Sequence, residues 1–135
     1  MINRRLVLSA AGAALAQVLL AQTRTQAPST PLVFEHDLPD VNMHNWEVRA
    51  TEIHYEPGGT SAAHRHPGIT LVYVLEGEIE SAVDGGAART YGPGQMFMET
   101  PNQLHSVSRN ASKTKPARFL AILLTEKGAP LVKPA

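Results

Sequence analysis

Turn residues recur along this chain, and no stretch between them reads as a convincing helix. From Leu32 onward, Pro57-Gly58-Gly59, Gly77, Asp84-Gly85-Gly86, Gly92-Pro93-Gly94, Pro101-Asn102 and Gly128-Ala129-Pro130 break the sequence into short segments. Gly, Pro and Asn-Gly-like pairs stop regular structure because they fix or free φ and, for Pro, remove the amide donor. The segments between them read as strands. Trp46 to Glu56 alternates, with Thr51, Ile53 and Tyr55 on one face and Glu52, His54 and Glu56 on the other. Ile69 to Leu75 is a near-continuous apolar run of the kind a buried strand carries, and Glu78 to Val83 alternates into a hairpin signal at Asp84-Gly85. A short strand between Gly94 and Pro101 and a buried-type strand from Ala117 to Leu124 complete the pattern. Short strands at roughly 8–12-residue spacing predict an all-β sandwich or barrel. With 135 residues there is room for a single domain.

The first residues read as an address. Asn3-Arg4-Arg5 precedes the apolar run Leu6 to Ala21, the layout of a secretory signal, and Arg4-Arg5 before Leu6-Val7-Leu8 resembles a twin-arginine export signal. Cleavage is expected after Ala21, or after Ala16 where Ala14-Leu15-Ala16 is the cleaner small-x-small match. The sequence thus divides into a signal over 1–21, a polar lead-in and edge strand over 22–45, a barrel over 46–125 and a tail over 126–135. The mature chain is expected in the periplasm or secreted, with no membrane association once the signal is gone.

Lys and Arg number 12, as do Asp and Glu. Loss of the signal removes two arginines and leaves a net charge of −2. That balance argues against nucleic acid as a partner held by a general basic field. The absence of cysteine excludes disulfide frameworks, thiolate metal sites and thiol catalysis.

Chemistry enters at His64-Arg65-His66. Two histidines at i and i+2 on a strand project to one face, so both imidazoles can reach one ion. A third, His105, follows the Pro101-Asn102 turn. His36, His44 and His54 read as surface or loop residues. Tyr73 and Phe97 are most simply core. The alternation of Gln95 to Glu99 puts Phe97 and Glu99 on one face, Met96 and Met98 on the other, without saying which face is inside. If Glu99 points inward, a buried carboxylate beside an ion can act as a ligand, a histidine orienter or a proton acceptor.

Gly58, five residues, His64-x-His66, and then Gly77 resemble the first motif of the cupin superfamily. Gly94, His105 and the residues between them resemble the second, with Thr100 in its proline position, Asn102 in its glycine position and Arg109 in its asparagine position. The resemblance covers Trp46 to Thr125 and is strongest to small, exported, single-domain cupins. It implies a single-domain antiparallel double-stranded β-helix, or jelly-roll barrel, with His64, His66 and His105 converging inside. It also implies one divalent transition metal ion (Fe, Mn, Ni, Cu or Zn), a small-molecule substrate or ligand, and a possible homodimer. The family's usual glutamate ligand lies seven residues before the first motif's final glycine; here that position is Thr70. Three imidazoles still make a competent open site, as in cupin dioxygenases with three-histidine spheres. The resemblance therefore favours a small metalloenzyme, dioxygenase-like, with isomerase or lyase chemistry behind it. The alternative is a non-catalytic metal- or ligand-binding module. A carboxylate inside the barrel favours catalysis, and Glu99 is the candidate catalytic residue.

Overall fold

The computed structural model describes residues 27–135. The signal read from residues 1–21 and the start of the lead-in lie outside the described residues. Pro31–Ala135 forms the folded unit, and among the described residues every regular element is a strand.

Ten strands follow in order: β1 (Trp46–Tyr55), β2 (Thr60–Ser61), β3 (His64–Arg65), β4 (Ile69–Glu76), β5 (Ile79–Val83), β6 (Arg89–Tyr91), β7 (Met96–Glu99), β8 (Leu104–Asn110), β9 (Ala117–Glu126) and β10 (Lys133–Pro134). They make two antiparallel sheets. The first has the order β1-β9-β4-β7; the second runs β10-β3-β8-β5-β6, with β2 also paired to β8. This is the all-β jelly-roll barrel expected from the turn spacing and the motif resemblance.

The turns carry the chemistry their residues foretell. Asp84 and Gly85 take φ of 49° and 71°, the left-handed pair that a tight hairpin turn needs. Asn102, in the motif's glycine position, sits at φ 60°, a conformation asparagine tolerates. Gly77 has φ 71°, and a side chain there would meet the Pro116 carbonyl at 2.5 Å. Only glycine lets β4 leave the sheet at that point.

The inner faces follow from register. Thr51, Ile53 and Tyr55 of β1 pair with Ala121, Phe119 and Ala117 of β9, and Thr70 and Val72 of β4 pair with Glu99 and Phe97 of β7. Tyr55, Val72, Val74, Ile79, Phe97, Ala117 and Phe119 form the core. Tyr73 is a correction to the core expectation. It pairs with Met96 and Leu120 on the outer face of the first sheet and is half-buried. The apolar run Ile69 to Leu75 lacks alternation, so the sequence offered no sign of which of its residues turn outward.

The structure also departs from the reading of the chain's two flanks. Residues 27–45 carry no strand, and the edge of the first sheet is β1 itself. Residues 126–135, read as a tail, contain β10.

Candidate metal centre

The second sheet places the three histidines. His64 of β3 stands directly opposite His105 of β8, and His66 lies just past the end of β3. A bulge at Ser106 sets the angle of His105: Val83 of β5 pairs with His105, whereas Ala82 pairs with Val107. The extra residue lets His105 and Ser108, three apart, both face inward. One imidazole nitrogen from each of His64, His66 and His105 lies within 4.8 Å of the other two.

Each ring is held by a partner on its other nitrogen. The His64 Nδ1–H donates to the Ala62 carbonyl at 2.7 Å, and the His66 Nδ1–H donates to the Leu131 carbonyl at 2.7 Å. Their Nε2 atoms then face each other at 3.2 Å. His105 is oriented the other way, with Nε2 bonded to the Ser81 hydroxyl at 2.9 Å. Its Nδ1 is buried without a hydrogen-bond partner.

Glu99 reaches the same point from the first sheet. It is 1% exposed, its Oε1 lies 3.2 Å from His105 Nδ1, and its Oε2 lies 3.9 Å from His66 Nε2. Neither oxygen has a hydrogen-bond partner; the approach to His105 is close but not aligned for one. Burial pushes the Glu99 carboxyl up from 4.5 to about 8. Burial pushes His105 down to about 4, with His64 and His66 adding repulsion. His66 is lowered as well, mainly by burial, against the opposing pull of its bond to Leu131. The cluster thus gathers several costly buried groups in one spot, and Glu99 and His105 Nδ1 lack a hydrogen-bond partner there.

The three imidazoles could bind a metal ion. Ligands at about 2.0–2.1 Å in a tetrahedral sphere lie roughly 3.3–3.4 Å apart, close to the 3.2 Å between the His64 and His66 Nε2 atoms. The donor set of three neutral imidazoles suits first-row transition metals. Both orphaned Glu99 oxygens and the orphaned His105 nitrogen face the same point.

The cluster sits in a cavity of about 600 Å³. Ile53, Val72, Phe119, Ala121 and Leu123 give it apolar walls, and Leu131 to Pro134 border it. Tyr55, from the first sheet, bonds through its hydroxyl to Ser61 and Ser108 of the second, which ties the two sheets together beside the cavity. His36, His44 and His54 are exposed and outside the cavity; His54 pairs with Glu52 at 3.1 Å. Sequence reasoning missed Ser81 and Leu131, the partners of His105 and His66. The alternation of Glu78 to Val83 could have put Ser81 on an inner face, but nothing local announced Leu131.

The model of the cupin domain matches residues 51–123. The chain belongs to the cupin family. Solved cupin structures align over about 65% of this chain. A lyase, DMSP lyase DddQ from Ruegeria pomeroyi DSS-3, aligns with a TM-score of 0.57 at 20% identity, over 65% of this chain and 43% of its own. A cupin-like protein from Thermotoga maritima gives 0.57 at 22%, over 65% of this chain and 64% of its own. The polyketide cyclase RemF from Streptomyces resistomycificus gives 0.54 at 25%, over 65% and 60%. The chain thus spans less than two thirds of the length of each of these three. No match was found among curated proteins. Cupin relatives bind small molecules, and this cupin brings three histidines close enough together to bind a metal ion.

Proposed function

We propose that this cupin is a metal-dependent enzyme acting on a small organic molecule, with dioxygenase chemistry ahead of isomerase or lyase chemistry. One observation carries the reading: a buried carboxylate with two unpartnered oxygens faces the same point as three histidines, at the wall of an apolar cavity. A fully apolar lining would have favoured a binding module. An inward glutamate without a structural partner is a cost to folding that a chemical role explains.

His64 and His66 would hold the ion through Nε2, since each Nδ1–H is committed to a carbonyl, and His105 through Nδ1, since Ser81 takes its Nε2. A bound Fe, Mn, Ni, Cu or Zn ion supplies Lewis acidity, and the redox-active members of that set supply oxygen chemistry. The remaining work belongs to the chain. With its carboxyl at about 8, Glu99 holds its proton at neutral pH; once ionised, it would take a proton from a substrate at an Oε atom and return it. A neighbouring cation would shift it toward the charged, accepting form. Ile53, Val72, Phe119 and Leu123 exclude water from that transfer and receive the apolar body of the substrate.

We also propose that Arg4-Arg5 and Leu6 to Ala21 export the chain, so that it works in the periplasm or outside the cell. The functional test combines metal analysis of natively purified protein with an aerobic substrate panel. Turnover that needs the metal and is lost in Glu99→Gln supports the enzyme. Bound metal with no turnover across the panel, and a metal content unchanged by Glu99→Gln, would make the protein a binding module.

A further inference from the structure

The chain does not simply end after the barrel. It turns at Glu126–Ala129, where the Ala129 N–H donates to the Glu126 carbonyl and Gly128 adopts φ 82°. Arg49 donates to the Ala129 carbonyl at 3.1 Å, and the Gly128 N–H donates to Glu47 at 3.3 Å. These bonds fix the start of the segment Pro130–Ala135 on the first sheet. Its far end belongs to the second sheet, where Lys133 pairs with Arg65 and Pro134 with His64. The segment therefore bridges the two sheets at the cavity and contributes Leu131, Val132, Lys133 and Pro134 to its border.

Midway across, the Leu131 carbonyl accepts the His66 Nδ1–H at 2.7 Å. His66 thus differs from its neighbour. His64 takes its acceptor, Ala62, from two residues away in the connection that leads into β3, whereas the acceptor for His66 arrives from 65 residues further along the chain. A neutral imidazole carries one N–H, and the acceptor it finds decides which nitrogen keeps the lone pair. With Leu131 in place, that lone pair is on Nε2, facing His64, His105 and Glu99.

We propose that the segment Pro130–Ala135 is a strap whose Leu131 carbonyl positions His66 as a metal ligand, so that the ligand set is complete only when the strap is docked over the cavity. The proposal rests on the metal reading above. The strap is lightly held beyond its fixed start. Its contacts are a two-residue ladder, the His66 bond and a 3.4 Å contact from Lys133 to Asn102, and Val132 to Ala135 are exposed. Segments with few, exposed hydrogen bonds open without global unfolding. Undocking would at once widen the cavity and release His66 to its other tautomer, which couples admission of a ligand to the readiness of the metal site. Leu131 is a positioning residue through its main chain, and Pro130 and Pro134 stiffen the crossing on either side.

The test uses nitrogen-15 imidazole NMR on the metal-free, full chain and Co(II) binding followed by its visible spectrum. In the full chain, His66 should show a protected Nδ1–H and an unprotonated Nε2. A chain ending at Ala129 should shift His66 toward the Nε2–H form, leave His64 unchanged, and bind Co(II) about 10–100-fold more weakly with an altered spectrum. A chain ending at Val132 keeps the Leu131 carbonyl and should fall between the two. His66 protonated on Nε2 in the full chain overturns the proposal without reference to any shortened chain, and so does Co(II) affinity equal in all three with the tautomer unchanged. Failure of every chain to take up Co(II) overturns the metal reading and, with it, the strap's role.

Discussion

Thr70 of β4 and Glu99 of β7 are directly paired across the first sheet, both on its inner face and both fully buried. Thr70 holds the motif position where most metal-binding cupins place a glutamate. A buried carboxylate nevertheless stands beside the histidines, on the adjacent strand. Paired residues on neighbouring strands have Cβ atoms about 5 Å apart, a gap that the two methylenes of a glutamate span. The relation of Thr70 to Glu99 turns an incomplete motif into a cluster of three imidazoles and one acid.

Moving the acid back should therefore be tolerated only if the other is removed. Thr70→Glu alone inserts a bulky acid opposite a buried one, and should destabilise the metal-free protein by about 1–3 kcal/mol through overpacking and shared burial of two carboxyls. The double substitution Thr70→Glu/Glu99→Thr should recover much of that loss and still bind metal. Urea unfolding of the two variants checks this. A double variant less stable than Thr70→Glu alone would contradict the exchange.

Glu99 also sets a pH dependence in the metal-free protein. Its carboxyl is raised from 4.5 to about 8, so the folded state holds a proton that the unfolded state releases. That contribution is full below about pH 4.5 and is lost as pH rises through 8. His105, lowered from 6.5 to about 4, has the opposite sign: its contribution is present above about pH 6.5 and is lost as pH falls toward 4. The two oppose each other between those limits, and Glu99 acts alone above them. The urea midpoint of metal-free protein should fall between about pH 6.5 and 8.5, and Glu99→Gln should abolish that fall while keeping the acid limb. Equal alkaline limbs in both proteins would contradict the burial argument.

Asn110 offers a contrast, because its work is structural. It stands one residue past the motif's asparagine position, which Arg109 fills while pairing with Glu80 at 2.7 Å on the exposed face. Asn110 is buried, donates to the Glu56 and Lys115 carbonyls at 3.1 and 2.7 Å, and accepts the Ser112 N–H at 2.9 Å. Asn110→Ala should cost about 1–3 kcal/mol by leaving those groups unpaired, with metal binding unchanged. Thermal melts beside a metal titration would separate the two effects.

These contrasts show what was legible in the sequence. Turn chemistry is local, so Asp84-Gly85, Asn102 and Gly77 marked the strand ends, and the strands followed. Alternation is also local, and it correctly joined Thr51, Ile53 and Tyr55, and Phe97 with Glu99. Which face of β7 is inside depends on its register against β4, a tertiary fact, and the inward aim of Glu99 became visible only with Thr70 opposite. Tyr73 went astray because its strand is apolar on both faces. Ser81 meets His105 diagonally across a bulge, and Leu131 meets His66 from a segment with no strand-like pattern. Such partners are chosen by packing, which leaves no mark in sequence spacing.

Export has its own test. Replacing Arg4 and Arg5 with lysines should hold the chain in the cytoplasm if the twin-arginine route is used. Fractionation of cells expressing both forms checks it, and normal export of the double variant would leave only a general secretory signal.

His64, His66 and His105 should share one ion beside Glu99. Anomalous diffraction from crystals of natively purified protein tests it most directly. One peak per chain is expected, about 2.0–2.2 Å from His64 Nε2, His66 Nε2 and a His105 ring nitrogen, and it should be lost in His66→Ala. No peak in metal-replete protein, or a peak elsewhere that survives His66→Ala, would contradict it.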